Sequence, residues 1–207
     1  KITKNTFSFT QKYSDLPYNF DYKKSLNSSQ KEVFDTILAS VENEFLLYGV
    51  TWSGKTEVYI NLIKHYLDKW EQSLLLVPEI ILTNQIFERI KKVFWDEVII
   101  LNSTVSEAKK TLYRDLIYTN KAKIIVGTRS AIFYPYNKLW IIIVDEEHDN
   151  SYISDNTPRY DGIEVVKYIS DFHKTKLVLW SWTPKMNHLY QALQWEWKVL
   201  NLFQEYK

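Results

Sequence analysis

From about residue 44 onward, short aliphatic runs alternate with segments whose apolar positions recur every three or four residues. The runs Phe45-Leu46-Leu47-Tyr48, Ser73 to Val77, Glu97 to Leu101, Lys123 to Val126, Trp140 to Val144 and Lys176 to Leu179 predict buried strands. Helical spacing over Thr56 to Leu67, Ile80 to Val93, Ser106 to Tyr118, Gly162 to Phe172 and Lys185 to Leu193 predicts the segments between them. Ahead of the first strand, Asn27-Ser28-Ser29 reads as the cap of a helix with Val33, Ile37, Leu38 and Val41 on one face. Near-continuous aliphatic strands separated by helices predict an α/β fold with a parallel sheet covered on both faces. Residues 1–25 carry no period and read as a lead-in or linker, which leaves 26–207 as one domain.

Length and charge narrow the class. A chain of 207 residues can bury a full core. Its 26 basic and 25 acidic residues give +1, which excludes a polybasic tail as the main binding device and leaves a local basic face open. Cysteine is absent, so disulfide frameworks, zinc ribbons, iron–sulfur clusters and thiol nucleophiles are excluded. No apolar run approaches the ~18 residues of a membrane span. The opening Lys-Ile-Thr-Lys-Asn-Thr leads into no signal-type apolar region, and a cytoplasmic protein without membrane partners is expected.

Two motifs carry chemistry. Gly49-Val50-Thr51-Trp52-Ser53-Gly54-Lys55-Thr56 fits G-x-x-x-x-G-K-[ST] between a predicted strand and a predicted helix, the context that a phosphate loop requires. Backbone N–H groups at a helix N-terminus, from Gly49 through Thr51, Ser53 and Gly54, make an anion nest. Lys55 adds a point charge for the β- and γ-phosphates of ATP, and Thr56 offers a hydroxyl to Mg²⁺. The second motif, Asp145-Glu146-Glu147-His148, follows the aliphatic run Ile141 to Val144. At the carboxyl edge of a parallel sheet it faces the same crevice. Asp145 is placed to hold Mg²⁺ and Glu146 to orient the attacking water. Glu147 reads as a supporting or structural residue.

Weaker signals need that context. Gly127-Thr128-Arg129-Ser130 can grip a phosphate backbone or can be a surface turn with a solvated arginine. Ser181-Trp182-Thr183-Pro184 offers two hydroxyls after the last strand. His65, His173 and His188 lie in helical patterns and read as surface residues, whereas His148 adjoins the acids.

The strings Leu46 to Tyr59, Leu76-Val77-Pro78-Glu79-Ile80-x-Leu82-Thr83, Gly127 to Phe133, Ile142 to Tyr152 and Pro158-Arg159-Tyr160 together resemble the primosomal replication-restart helicases, and Leu26-Asn27-x-x-Gln30 resembles their adenine-reading element. The resemblance covers about Leu26 to Leu202. It implies a RecA-like motor lobe of an ATP-dependent 3′-to-5′ DNA helicase acting in replication restart. Gln30 would read adenine, His148 would couple nucleotide state to DNA, Thr128 and Arg129 would touch the strand, and Ser181 and Thr183 would link hydrolysis to movement. Implied partners are forked or single-stranded DNA, primosome proteins and single-strand-binding proteins.

The chain also departs from that pattern. It reads as a fragment holding the first lobe, without the second lobe, the DNA-binding domain or the cysteine-rich zinc insert, so no zinc is expected. The arginine finger of the second lobe can supply ~10³–10⁵ in rate in related phosphoryl transfer, so this lobe should bind nucleotide and hydrolyse it weakly. Another DNA translocase and a non-catalytic DNA- or primosome-binding remnant are the competing readings. Asn102 stands where the family has histidine.

The remaining departure is tryptophan. The chain has 8 tryptophans and 4 glycines, against a usual glycine share of about 7%. Trp52, Trp140 and Trp180 stand where the family has glycine, and Trp182 where it has a small residue. Trp70 and Trp95 follow predicted helices, where a terminal glycine is expected. Trp195 and Trp197 sit in a turn-like Gln-Trp-Glu-Trp. Two readings follow: genuine tryptophan, or a UGA codon that the organism decodes as glycine.

Overall fold

The computed structural model describes residues 25–49, 54–79, 85–94, 98–194 and 197–202. The expected lead-in therefore lies, except for Ser25, outside the described residues, as do Val50, Thr51, Trp52 and Ser53 of the phosphate loop. Seven parallel strands form one sheet: β1 (Glu44–Gly49), β2 (Gln72–Leu76), β3 (Val98–Leu101), β4 (Ile124–Gly127), β5 (Leu139–Val144), β8 (Lys176–Ser181) and β9 (Lys198–Leu202). Their spatial order is β3-β4-β2-β5-β8-β1-β9. A two-stranded antiparallel ribbon, β6 (Ile153–Ser154) with β7 (Tyr160–Asp161), lies in the connection after β5.

The strands are buried on both faces, and alternate residues serve opposite sides. Phe45, Leu47, Leu75, Ile124, Val126, Ile141, Ile143 and Val178 pack with α1 (Ser28–Ala39), α2 (Lys55–Leu67) and α3 (Gln85–Phe94) through Val33, Ile37, Val58, Ile63 and Ile90. Leu46, Leu74, Leu76, Ile125, Ile142, Val144, Leu177 and Leu179 pack with α4 (Glu107–Tyr118), α5 (Gly162–His173) and α6 (Met186–Leu193) through Ile117, Ile163, Val166 and Ala192. This is the expected RecA-like architecture.

Local chemistry sets the element ends. Asn27 caps α1 in a reciprocal box with Gln30. Helix α1 stops at Ala39, so Val41, expected on its apolar face, is 92% exposed. Three helices end in Schellman motifs with a left-handed residue at C′. In α2, Glu71 N donates to Tyr66 O and Trp70 N to Leu67 O. In α4, Lys121 N donates to Leu116 O and Asn120 N to Ile117 O. In α5, Thr175 N donates to Ser170 O and Lys174 N to Asp171 O. The C′ residues Trp70, Asn120 and Lys174 have φ of 61°, 57° and 55°.

The strand register aligns the functional ends. Tyr48 of β1 pairs with Ser181 of β8, and Leu76 of β2 with Val144 of β5. Gly49, Val77, Asp145 and the Ser181 turn thus come to one edge of the sheet, where open α/β sheets bind ligands. Strand β9, which the sequence reading passes over, lies parallel to β1 and closes that end of the sheet. Gly49 is required there: a Cβ would collide with Leu202 O and lie 2.8 Å from the Trp180 ring.

Candidate functional site

Helix α2 begins immediately after Gly54, whose φ of 76° suits glycine. Lys55 is the first residue of this helix and Thr56 the second. The Lys55 ammonium lies 3.0 Å from Oδ1 of Asp145 and also pairs with the Glu146 carboxylate. The two predicted motifs therefore meet, brought together by the adjacent ends of β1, β8 and β5. The ammonium also lies 5.3 Å from the centroid of the buried Trp180 ring, within cation–π range.

Asp145 is fully buried. Burial raises its carboxyl above the ordinary range, the Lys55 charge offsets part of that rise, and the neighbouring Glu146 charge adds to it. Oδ1 accepts from the Tyr59 hydroxyl at 3.0 Å. Oδ2 is buried and has no hydrogen-bond partner among the described residues. A buried carboxylate oxygen without a partner, beside a lysine at a helix N-terminus, fits a hard cation such as Mg²⁺ with oxygen ligands. Thr56 and Asp145 are the described residues that can hold it. Glu146 sits at φ 48°, a left-handed conformation costing of order 1–3 kcal/mol outside glycine and held by the surrounding bonds.

Those bonds continue past the acids. His148 Nδ1 lies 2.7 Å from Ser181 Oγ and 3.7 Å from Glu146 Oε2. Ser181 Oγ in turn accepts from Thr183 N at 3.1 Å. The acidic motif and the hydroxyl turn thus touch through one imidazole. Thr183 is exposed, and Ser181 is buried.

Gln30 approaches the same place from α1. Its amide oxygen accepts from Asn27 N at 3.0 Å, and its amide nitrogen donates to Gly54 O at 3.2 Å. It is fully buried. Thr128 is also buried, with its N–H bonded to Leu101 O. The Arg129 guanidinium bonds the carbonyls of Ser151 and Ile153 and stacks 5.4 Å over Tyr160. In this conformation it braces the β6–β7 ribbon.

Three features were not legible in the motifs. Glu147 is fully buried; its Oε2 lies 2.7 Å from His188 Nδ1 and its Oε1 accepts from Lys185 N at 2.9 Å. His188, expected at the surface, is therefore a core residue tying α6 to the acidic motif. Trp197, in the bend before β9, is also buried, and its ring lies 5.4 Å from the imidazole. Buried Glu57 pairs with Arg89 of α3, fastening the helix after the phosphate loop to its neighbour. Tyr59 and Tyr152 both bond Asp145, Tyr152 through the main-chain oxygen at 2.8 Å. Their positions in the motif strings were visible, but no periodicity signals a hydroxyl aimed at a carboxylate two strands away.

A family model for DEAD/DEAH box helicases matches residues 27–191. The chain belongs to the DEAD/DEAH box helicase family. Among curated proteins, this helicase domain is 39% identical over 182 residues to the replication restart protein PriA of Rickettsia prowazekii, covering 88% of the chain and 28% of the relative. It is 35% identical over 203 residues to that of Bacillus subtilis, covering 94% and 25%. With that of Helicobacter pylori it shares 42% over 142 residues, covering 69% and 23%. The chain thus spans about a quarter of the length of the curated relatives it matches. Among solved structures, RecG bound to a three-way DNA junction superposes with a TM-score of 0.63 at 20% identity, covering 89% of the chain and 24% of that chain. The Hef helicase domain of Pyrococcus furiosus gives 0.58 at 16%, covering 83% and 38%. These two likenesses concern the fold. No helix among the described residues is long and apolar enough to cross a membrane.

Proposed function

We propose that this chain is the ATP-binding lobe of a replication-restart DNA helicase that moves 3′ to 5′. The observation carrying this reading is the meeting of Lys55, at the start of α2, with Asp145 and Glu146, at the end of β5. The similarity to replication restart proteins supports the biological setting.

In this reading, Gln30 lies beside the base, while Gly49, Thr51, Ser53 and Gly54 surround the phosphates. Lys55 exchanges its carboxylate partners for the phosphates, drawn by their larger charge. Thr56 and Asp145 would hold Mg²⁺, which would supply positive charge to neutralise the phosphates. Glu146, released from Lys55, accepts a proton from the attacking water. His148 senses that change, because it stands between Glu146 and Ser181. Ser181 and Thr183 pass it along the edge of the sheet toward the strand-contacting Thr128 and Arg129. Forked or single-stranded DNA is the polymer acted on; primosome and single-strand-binding proteins are the partners, and the cytoplasm is the setting.

ATP turnover by the chain, with and without single-stranded DNA, tests the reading. Slow turnover that Glu146→Gln abolishes while nucleotide binding persists is expected. DNA binding with no nucleotide binding at all overturns it in favour of a non-catalytic DNA-binding remnant.

A further inference from the structure

Asp145 is held by two tyrosine hydroxyls from different directions. Tyr59, on the second turn of α2, donates to Oδ1 at 3.0 Å, and Tyr152, in the short 3-10 turn after the acidic motif, donates to the main-chain oxygen at 2.8 Å. Both rings are fully buried. Tyr59 meets the Trp180 ring edge-on, with centroids 6.3 Å apart, so its hydroxyl has little freedom to turn away. Oδ1 also receives Lys55 at 3.0 Å, whereas Oδ2 is buried and has no partner among the described residues. One oxygen of the carboxylate is therefore fixed and the other presented.

This asymmetry matters when nucleotide binds. The phosphates compete for Lys55, and Asp145 then loses its cationic neighbour. A buried carboxylate with one donor removed is free to rotate unless another donor holds it. The described donor that remains on Oδ1 is Tyr59, carried by the same helix that starts at Lys55. On the reading of Asp145 as the Mg²⁺-holding carboxylate, we propose that Tyr59 is a positioning residue: its hydroxyl pins Oδ1 so that Oδ2 stays aimed at the cation once Lys55 has turned to the phosphates. Groups that orient metal-holding side chains typically contribute about 10–100-fold in metal affinity.

The test is Mg²⁺ titration of nucleotide binding, read with a fluorescent ADP analogue on the wild-type chain and on Tyr59→Phe. Phenylalanine keeps the ring against Trp180 and removes one oxygen. The Mg²⁺ concentration giving half-saturation is expected to rise about 10–100-fold, with Mg²⁺-free nucleotide affinity unchanged within about twofold. An unchanged Mg²⁺ requirement overturns the role. So does a parallel loss of Mg²⁺-free and Mg²⁺-dependent affinity, which would mark Tyr59 as a general support of the fold. A second readout survives a variant that fails to fold. With fluorotyrosine placed at position 59 alone, adding Mg²⁺ to the nucleotide-bound chain should shift the fluorine resonance, and Asp145→Asn should remove the shift. A resonance that does not respond to Mg²⁺ overturns the role. A wild-type chain that binds no nucleotide overturns the function proposed above and this role with it, an outcome distinct from failure of Tyr59→Phe alone.

Discussion

The Lys55 ammonium lies 3.0 Å from Oδ1 of Asp145 and pairs with Glu146, joining the start of α2 to the end of β5. Without nucleotide, the lysine is the counter-charge of buried Asp145 and partly buried Glu146. Removing it should therefore affect the chain even before ligand is added. Burial already lifts the Asp145 carboxyl, and Lys55→Met lifts it further. The folded variant then binds that proton more tightly than the unfolded chain. Its stability relative to wild type is fullest near the ordinary carboxyl value of about 4 and falls as pH rises toward 7. Urea midpoints for both proteins at these two pH values check the sign. A deficit that is equal at both contradicts it.

The Glu147–His188 contact should behave as a structural tie. Both groups are fully buried and 2.7 Å apart. Among the described residues, His188→Leu leaves the Glu147 carboxylate with the Lys185 N–H as its remaining partner and should cost about 3–5 kcal/mol in denaturant unfolding. The double variant Glu147→Met/His188→Leu should recover much of that loss. A cost below about 1 kcal/mol for the single variant would show the pair to be dispensable.

Trp70 makes a sharper case. It occupies the C′ position of the α2 Schellman motif at φ 61°, where glycine is strongly favoured. A left-handed conformation costs an L-residue roughly 1–2 kcal/mol. Its indole, 40% exposed, lies 5.5 Å from the ammonium of buried Lys123, a contact of about 1 kcal/mol, between the exposed and desolvated limits, that offsets part of that cost. Trp70→Gly should therefore stabilise the chain by about 1 kcal/mol, seen as a raised melting temperature. A lowered one would show that the indole contact outweighs the backbone strain.

The other described tryptophans divide. Trp140 and Trp182 are about half exposed, while Trp180 and Trp197 are buried in the two cores. The buried Trp180 indole N–H has no partner among the described residues, the condition that buried tryptophan usually avoids. Trp52, Trp95 and Trp195 lie outside the described residues. If these are glycine positions, the gene carries UGA at each, and peptide mass spectrometry of the native protein reads glycine. UGG at all eight codons establishes tryptophan.

The fold was legible because the strands are buried on both faces. Ile141 to Val144 and Phe45 to Leu47 leave no polar residue to blur the reading, and these two strands start and stop within a residue or two of expectation. Strand β9 was missed because Lys198 to Leu202 lies at the sheet edge, where Val199-Leu200 is only a two-residue apolar run broken by Asn201, and because it follows the tryptophan-rich Gln-Trp-Glu-Trp. The expected helix over Ile80 to Val93 is described from Gln85 to Phe94, and its first five expected residues lie outside the described ones. At the site, Lys55, Asp145, Glu146 and His148 could be placed because motif spacing fixes them to strand and helix ends. The burial of His188 and the aim of the Tyr59 hydroxyl arise from contacts 41 and 86 residues apart, which no local pattern records.

Calorimetric titration of ADP and ATP with Mg²⁺ onto this chain and onto Lys55→Ala tests the central claim most directly. Saturable binding of one nucleotide by the wild-type chain, abolished in Lys55→Ala, is the predicted result. No binding by either protein, or equal binding by both, contradicts the assignment of this sheet edge as a nucleotide site.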